Sequence, residues 1–221
     1  HSLLADEVSK ILAVETEQGL SASEAAKRLE AYGYNKLPEP ERRPALVRFL
    51  LHFHNILIYV LLAAAVITAF MEHWIDTAVI AAVVVINALI GFLQEGKAEN
   101  AIAAIRQLLA PHAHVLRDGK RVEIDGRDLV PGDIVLIEPG DKIPADLRLI
   151  RSHSLHTHEA MLTGESVPVE KSIKPAAENA PLGERNCMAF SGTLVTSGQA
   201  AGIVVGTGAQ TEIGRINRLL S

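Results

Sequence analysis

Ile56-Leu57-Ile58-Tyr59-Val60-Leu61-Leu62-Ala63-Ala64-Ala65-Val66-Ile67 is an unbroken apolar run inside a longer stretch, residues 49–71, that has no Asp, Glu, Lys or Arg. A second uncharged run covers residues 77–94, through Val79-Ile80-Ala81-Ala82-Val83-Val84-Val85-Ile86. Each can supply the roughly 18–20 apolar residues with which a helix crosses a bilayer. Lipid offers the backbone no hydrogen-bonding partner, so spans of this composition must be helical. The pair predicts a transmembrane hairpin within residues 46–96, with helices at about 54–71 and 75–94. The competing reading is a hairpin buried in a soluble core, which would require a small domain to enclose two long apolar runs at once.

Between the runs lie Glu72, His73, Trp74, Ile75 and Asp76, with acids but no Lys or Arg. Arg42, Arg43 and Arg48 precede the first run, and Lys97 and Arg106 follow the second. Basic residues favour the cytoplasmic side, so both ends are expected in the cytoplasm and the acidic turn outside, with Trp74 at the outer interface. Asn87 falls inside the second run. A polar residue there suits either a functional role or helix packing beside Gly91, and no ion-binding role is assigned to it.

The whole chain has 221 residues, 48% of them hydrophobic and 21% charged, and a net charge of −5. That acidic balance argues against a broad nucleic-acid surface. Cys187 is the single cysteine, which excludes an internal disulfide and fits a reducing compartment. The first residues lack the basic and apolar regions of a signal peptide, and there is no initiating Met, so an excised piece of a longer chain is expected.

Residues 1–45 form a first segment. Leu4, Val8, Ile11 and Leu12 share one helical face, Gly19 interrupts, and Ser21-Ala22-Ser23-Glu24 has the signature of a capping box. Ala25, Ala26 and Leu29 continue that second helix, and Leu37-Pro38-Glu39-Pro40 reads as a linker. After the membrane runs, residues 97–221 form a stalk and a second domain. Ala101, Ile102, Ile105, Leu108 and Leu109 keep a helical period until Pro111 stops it.

Beyond Pro111 the pattern changes to short β-forming runs between turns. Asp118-Gly119 is a hairpin signal, and Pro131-Gly132-Asp133 and Pro139-Gly140-Asp141 punctuate the next strands. Thr193-Leu194-Val195 and Gly202-Ile203-Val204-Val205 form a later cluster. The class is α+β: a two-helix membrane hairpin, small amino-terminal helices, and a β-rich domain of distorted jelly-roll type. Residues 171–185 are polar and contain Pro, and read as an exposed excursion.

One loop in this region carries chemistry. Leu162-Thr163-Gly164-Glu165-Ser166 sets a carboxylate after a glycine and between two hydroxyl residues, with Val167-Pro168-Val169 following. The glycine allows an unusual turn and a close approach to a ligand, and a glutamate can orient a water or take its proton. The same letters also suit an ordinary surface turn. Of His153, His156 and His158, the last two are two apart and could share one face of a strand, but no Cys or carboxylate accompanies the three at zinc-like spacing, so a surface strand is the reading and no metal site is assigned.

The order of these pieces resembles the front end of a P-type ATPase, an ion pump that works through an aspartyl-phosphate. The resemblance covers the chain from the Gly19–Asn35 segment through Gln94-Glu95, Leu129 to Val135, Gly140 to Asp146, Leu162 to Lys171, Ser191-Gly192-Thr193 and Thr207-Gly208. It is most similar to the class that includes calcium and sodium–potassium pumps. The resemblance implies that residues 97–221 are stalk and actuator domain, and that Thr163, Gly164, Glu165 and Ser166 form the dephosphorylation loop. Glu165 would orient and deprotonate water, Gly164 would permit approach, Thr163 would hold water or phosphate, and Ser166 would stabilise the loop. It further implies ATP and Mg²⁺ as cofactors of the full-length pump, with none bound by this portion. The implied partners are the lipid bilayer, the phosphorylation and nucleotide-binding domains, later membrane helices, and a transported cation, with calcium first and sodium or proton as alternatives. A plasma-membrane location follows from the same likeness.

His158 departs from the family pattern, which usually has an aspartate there. No Asp-Lys-Thr-Gly-Thr motif is present, so this portion alone is expected to be inactive and to stop before a third span. A stand-alone membrane-anchored regulatory or binding module derived from such a pump is the alternative. A soluble β-domain that docks a partner through its helical hairpin is a third reading.

Overall fold

The computed structural model describes residues 1–37, 44–108 and 112–220. The chain divides into two compact units, one of His1–Pro38 with Ala110–Ser221 and the other of Glu39–Leu109. The expectations about Arg42, Arg43, the Pro38 linker and Pro111 fall outside the described residues.

In the hairpin unit, α3 (Ala45–Leu51) and α4 (Ile56–Phe70) are separated by a break and bent by 74°. The break lies at the start of the first apolar run, and the helix expected at about 54–71 has its counterpart in the unbroken α4. The cause is local: Asn55 has extended backbone and its side chain accepts the Leu57 N–H at 2.9 Å, which starts a new helix. The second run has no such break. Helix α5 runs from Trp74 to Leu108 without interruption, so the second apolar run and the segment expected as a stalk form one continuous helix. Nothing between Gln94 and Leu108 opposes helix except Gly96, and Glu95, Lys97 and Glu99 favour it.

The two long helices lie side by side, with Ile58, Val84 and Ala88 buried. Thr68 and Thr77 hydroxyls meet at 2.9 Å near the turn. At the other end Arg48 pairs with Glu99 and lies over the Phe92 ring at 5.5 Å. Gly91 makes room for the His52 ring, because a Cβ there would come within 2.5 Å of it. Most of the apolar surface is nevertheless uncovered: Phe70 is 86% and Ile56 81% exposed.

In the other unit the strands are β1 (His112–Arg117), β2 (Lys120–Asp125), β3 (Ile134–Ile137), β4 (Asp146–His158), β5 (Val169–Glu170), β6 (Met188–Ala189) and β7 (Leu194–Gly206). They make one seven-stranded sheet in the order β2-β1-β3-β7-β4-β5, with β6 also on β4. Every strand pair is antiparallel. Asp118 and Gly119 form the two-residue turn between β1 and β2, both at positive φ, which matches the twist of the paired strands. The long β4–β7 pair contains several register shifts, where bulges or irregularities interrupt the ladder.

Both faces of the sheet are covered. Val115, Leu129, Val135, Ile137, Leu147, Leu149 and Val204 form the main core on one side. Ile134 and Ile203, alternating with these, face Val8, Val14, Leu20 and Ala25 on the other. The last four belong to the amino-terminal helices α1 (Ala5–Ile11) and α2 (Ala22–Tyr32) and the segment joining them. Ser21 Oγ accepts the Glu24 N–H at 3.2 Å as expected, but the Glu24 carboxylate turns to Arg28 at 2.9 Å instead of closing a capping box. Helix α7 (Glu212–Leu220) ends the described chain.

Candidate catalytic loop

Strand β4 delivers Thr157, His158 and Glu159 to a single helical turn, α6 (Ala160–Thr163). Gly164 ends that turn in the left-handed region, with φ +78° and ψ −4°. This is the backbone state that glycine adopts without penalty. Glu165, Ser166 and Val167 follow on the exposed side, and β5 brings the chain back beside β4 with His156 opposite Glu170.

Thr163 organises the turn. Its hydroxyl donates to the Glu159 carbonyl at 3.2 Å and accepts the Glu165 N–H at 3.3 Å. Leu162 anchors it from below by packing on Cys187, Met188 and Phe190. The Glu165 carboxylate and the Ser166 hydroxyl have no hydrogen-bond partner among the described residues. The structure thus brings Thr163, Gly164 and Glu165 into one exposed tip, with Ser166 adjacent but not bonded to it.

Lys171 is where sequence reasoning went astray. It was expected in an exposed excursion, yet its side chain is fully buried and pairs with Glu159, also fully buried, at 2.5 Å. The Thr157 hydroxyl donates to the same Glu159 oxygen at 3.0 Å, and the Lys171 ammonium lies 5.3 Å from the centre of the Phe190 ring. Burial pushes the Lys171 pKa below its ordinary value, while the Glu159 carboxylate works in the opposite direction. After Lys171 the excursion is partly pinned as well, since the buried Arg148 guanidinium donates to the Ile173 carbonyl at 3.1 Å.

The histidines do not gather. Ser154 has a positive φ of 48°, and the register shifts between His153 and His156, so the strand is irregular where these side chains leave it. His156 Nδ1 lies 3.0 Å from the Ser154 carbonyl and 3.2 Å from Ser197 Oγ. Among the described residues no three His, Cys, Asp or Glu side chains come together as a metal site.

Further from the loop, Asp146 accepts the Ser191 N–H and the Glu212 N–H, each at 2.8 Å, and so ties β4 to the first residue of α7. Its pKa is raised to about 6, chiefly by burial, against the lowering effect of the two N–H donors.

What the loop can do follows from these contacts. It projects an unengaged carboxylate from a rigid base, next to a residue without a side chain. Such a tip is suited to enter another surface and act on a water there. Comparison with known proteins gives the family of the chain. Residues 107–221 match the P-type ATPase actuator domain, and residues 1–68 match the cation transporter/ATPase N-terminus. The chain is 50% identical over 220 residues to the probable cation-transporting ATPase F of Mycobacterium tuberculosis, covering 100% of this chain and 24% of that protein. It is 44% identical over 209 residues to calcium-transporting ATPase 1 of Bacillus cereus, covering 92% of this chain and 24% of the relative. With the calcium-transporting ATPase of Bacillus subtilis the identity is 42% over 205 residues, covering 92% and 23%. The chain therefore spans about a quarter of the length of these curated relatives.

Proposed function

Because this chain belongs to the P-type ATPases, as an amino-terminal portion carrying the actuator domain, we propose that Thr163-Gly164-Glu165-Ser166 is its dephosphorylation loop. The exposed, unengaged Glu165 carboxylate on a firmly based turn is the observation that carries this reading. The substrate is an aspartyl-phosphate formed elsewhere in the full-length pump. Glu165 orients a water and takes its proton as the water oxygen attacks phosphorus. The phosphorus–oxygen bond to the aspartate then breaks, releasing inorganic phosphate and restoring the aspartate carboxylate. Gly164 lets the tip come close, and Thr163 keeps the Glu165 backbone in place.

ATP and Mg²⁺ belong to the full-length pump in this reading, and no residue of this chain is given a part in holding them. Helix α5, and α4 with α3, are the first two membrane segments. Their exposed apolar side chains face lipid, the acidic turn at Glu72 and Asp76 lies outside, and the flanking segments are cytoplasmic. Motion of the actuator domain reaches the membrane through the unbroken α5 rod, which couples phosphate release to cation movement at the plasma membrane. Calcium is the favoured cation, in line with the named activity of the Bacillus relatives.

The test is Glu165→Gln in the full-length pump. Phosphoenzyme should form from ATP as in the wild type and decay about 10²–10⁴-fold more slowly, the usual loss when a general base is removed. Decay at the wild-type rate would reject the role of Glu165.

A further inference from the structure

We propose that the buried Glu159–Lys171 ion pair is a positioning clamp that holds Glu165 in register for dephosphorylation; this rests on the reading of Glu165 above. The pair closes the base of the loop. Glu159 immediately precedes α6 and Lys171 immediately follows β5, so the whole segment 160–170 leaves and returns between them.

A relay of short contacts runs from the pair to the tip. Lys171 Nζ meets Glu159 Oε1 at 2.5 Å. The main-chain carbonyl of the same Glu159 accepts the Leu162 N–H at 2.9 Å, the Thr163 N–H at 3.0 Å and the Thr163 hydroxyl at 3.2 Å. The Thr163 hydroxyl in turn accepts the Glu165 N–H. Lys171 is itself fixed from three directions: its N–H donates to the Leu155 carbonyl at 2.8 Å, its carbonyl accepts the Ser152 hydroxyl at 3.2 Å, and its ammonium rests over Phe190. A displacement of Lys171 must therefore move Glu159, and with it Thr163 and Glu165.

Stability gives no sufficient reason for such a pair. Desolvating two charges costs about as much as their attraction returns, and apolar residues of similar size often serve as well. Here the balance is worse than usual, because Glu159 Oε2 is buried and has no hydrogen-bond partner among the described residues. What the pair does supply is one defined geometry. Two long side chains can meet at this distance in few ways, whereas an apolar contact tolerates sliding.

The experiment measures formation and decay of the phosphoenzyme in the full-length pump, for Lys171→Met, for Glu165→Gln and for the two combined. Phosphoenzyme formation per folded pump should stay near the wild-type level in Lys171→Met. Its decay should slow by up to ~10²-fold, the scale of a catalytic group misplaced by about 1 Å. In the combined variant decay should be no slower than in Glu165→Gln alone, since the clamp acts through Glu165. A structural defect would lower formation and decay together, and an independent role would slow the Glu165→Gln background further. Either result overturns the clamp, as does wild-type decay in Lys171→Met. If Lys171→Met fails to accumulate, Thr157→Val gives the same reading, because it removes one hydrogen bond to Glu159 and leaves both charges. Severalfold slower decay that vanishes in the Glu165→Gln background is then expected, and wild-type decay overturns the clamp. Normal decay in Glu165→Gln would sink both proposals, whereas slow decay there with normal decay in the clamp variants would sink the clamp alone.

Discussion

Asn35 Oδ1 accepts the Gly208 N–H at 2.8 Å, joining residues 173 positions apart in the chain. The Nδ2 of the same side chain donates to the carbonyls of Gly126 at 2.8 Å and Pro144 at 2.9 Å. One amide thus fastens the end of the α2 segment to three separate loops of the sheet. The amide supplies two donors from one nitrogen and an acceptor beside it, which a hydroxyl or a carboxylate cannot.

Asn35→Ala should therefore loosen the amino-terminal helices. Water can reach part of the site, so the three bonds are worth about 1 kcal/mol each at most. A loss of about 2 kcal/mol is expected, with faster hydrogen exchange in α1 and α2. The helices should stay attached through Val8, Leu20 and Ala25. Asn35→Asp should be no milder, because it keeps the acceptor but leaves two carbonyls without donors. Unchanged exchange in α2 would count against this role.

Asp146 predicts a pH dependence with a definite sign. Its pKa in the fold is raised to about 6, above its ordinary value of 3.8. The folded protein binds more protons than the unfolded chain between these values, so stability is full below about pH 4 and falls as pH rises towards 6. At about 1.4 kcal/mol per unit, the contribution is of order 3 kcal/mol. Asp146→Asn should lack this slope. Denaturation of the chain in detergent at pH 4.5 and pH 7, wild type against variant, is the measurement, and parallel curves would refute it.

These features differ in how far the sequence betrays them. The apolar runs, the Asp118-Gly119 turn and the Ser21 cap are local signals, and each lies where its residues place it. The break before α4 was also written locally, in Asn55 as a helix cap, but the apolar letters around it hide it. The bulge at Ser154 depends on pairing with β7, and no short pattern announces it. Lys171 is the clearest case. It stands among Glu170, Ser172 and Lys174, and reads as solvated. Its burial depends on β5 pairing with β4, which brings Glu159 to it. The exposed tip proposed to be catalytic was legible because its residues are contiguous, and its support was not because it is assembled across strands.

Gly164 and Gly198 separate two uses of glycine. Both have positive φ, +78° and +77°. A Cβ at Gly198 would lie 2.1 Å from the Ser154 carbonyl oxygen, whereas one at Gly164 would meet nothing within 4 Å. Gly198→Ala should therefore disrupt the β4–β7 pair and greatly reduce folded protein. Gly164→Ala should cost only the left-handed penalty, about 1–2 kcal/mol. Its effect should appear instead as phosphoenzyme decay at least tenfold slower in the full-length pump, because the added methyl meets the approaching surface. Normal decay with normal folding would mean that close approach at Gly164 is not needed.

Stability and positioning can be separated at the buried pair itself. Removing one member leaves the other as a buried, uncompensated charge, so Lys171→Met should destabilise the protein by about 3–5 kcal/mol. Replacing both, as Glu159→Leu with Lys171→Met, removes both charges and fills much of the same volume. Thr157 loses its acceptor, a cost of about 1–3 kcal/mol that sets against the regained desolvation. The double variant should thus be clearly more stable than Lys171→Met, and within about 2 kcal/mol of wild type. If the pair served stability alone, that recovery would restore phosphoenzyme decay as well. With a clamp, decay should stay slow in a protein whose melting temperature has largely returned, because an apolar contact no longer fixes the Glu159 carbonyl under Thr163. Melting and decay measured on the same preparations distinguish the two, and joint recovery would assign the pair to stability.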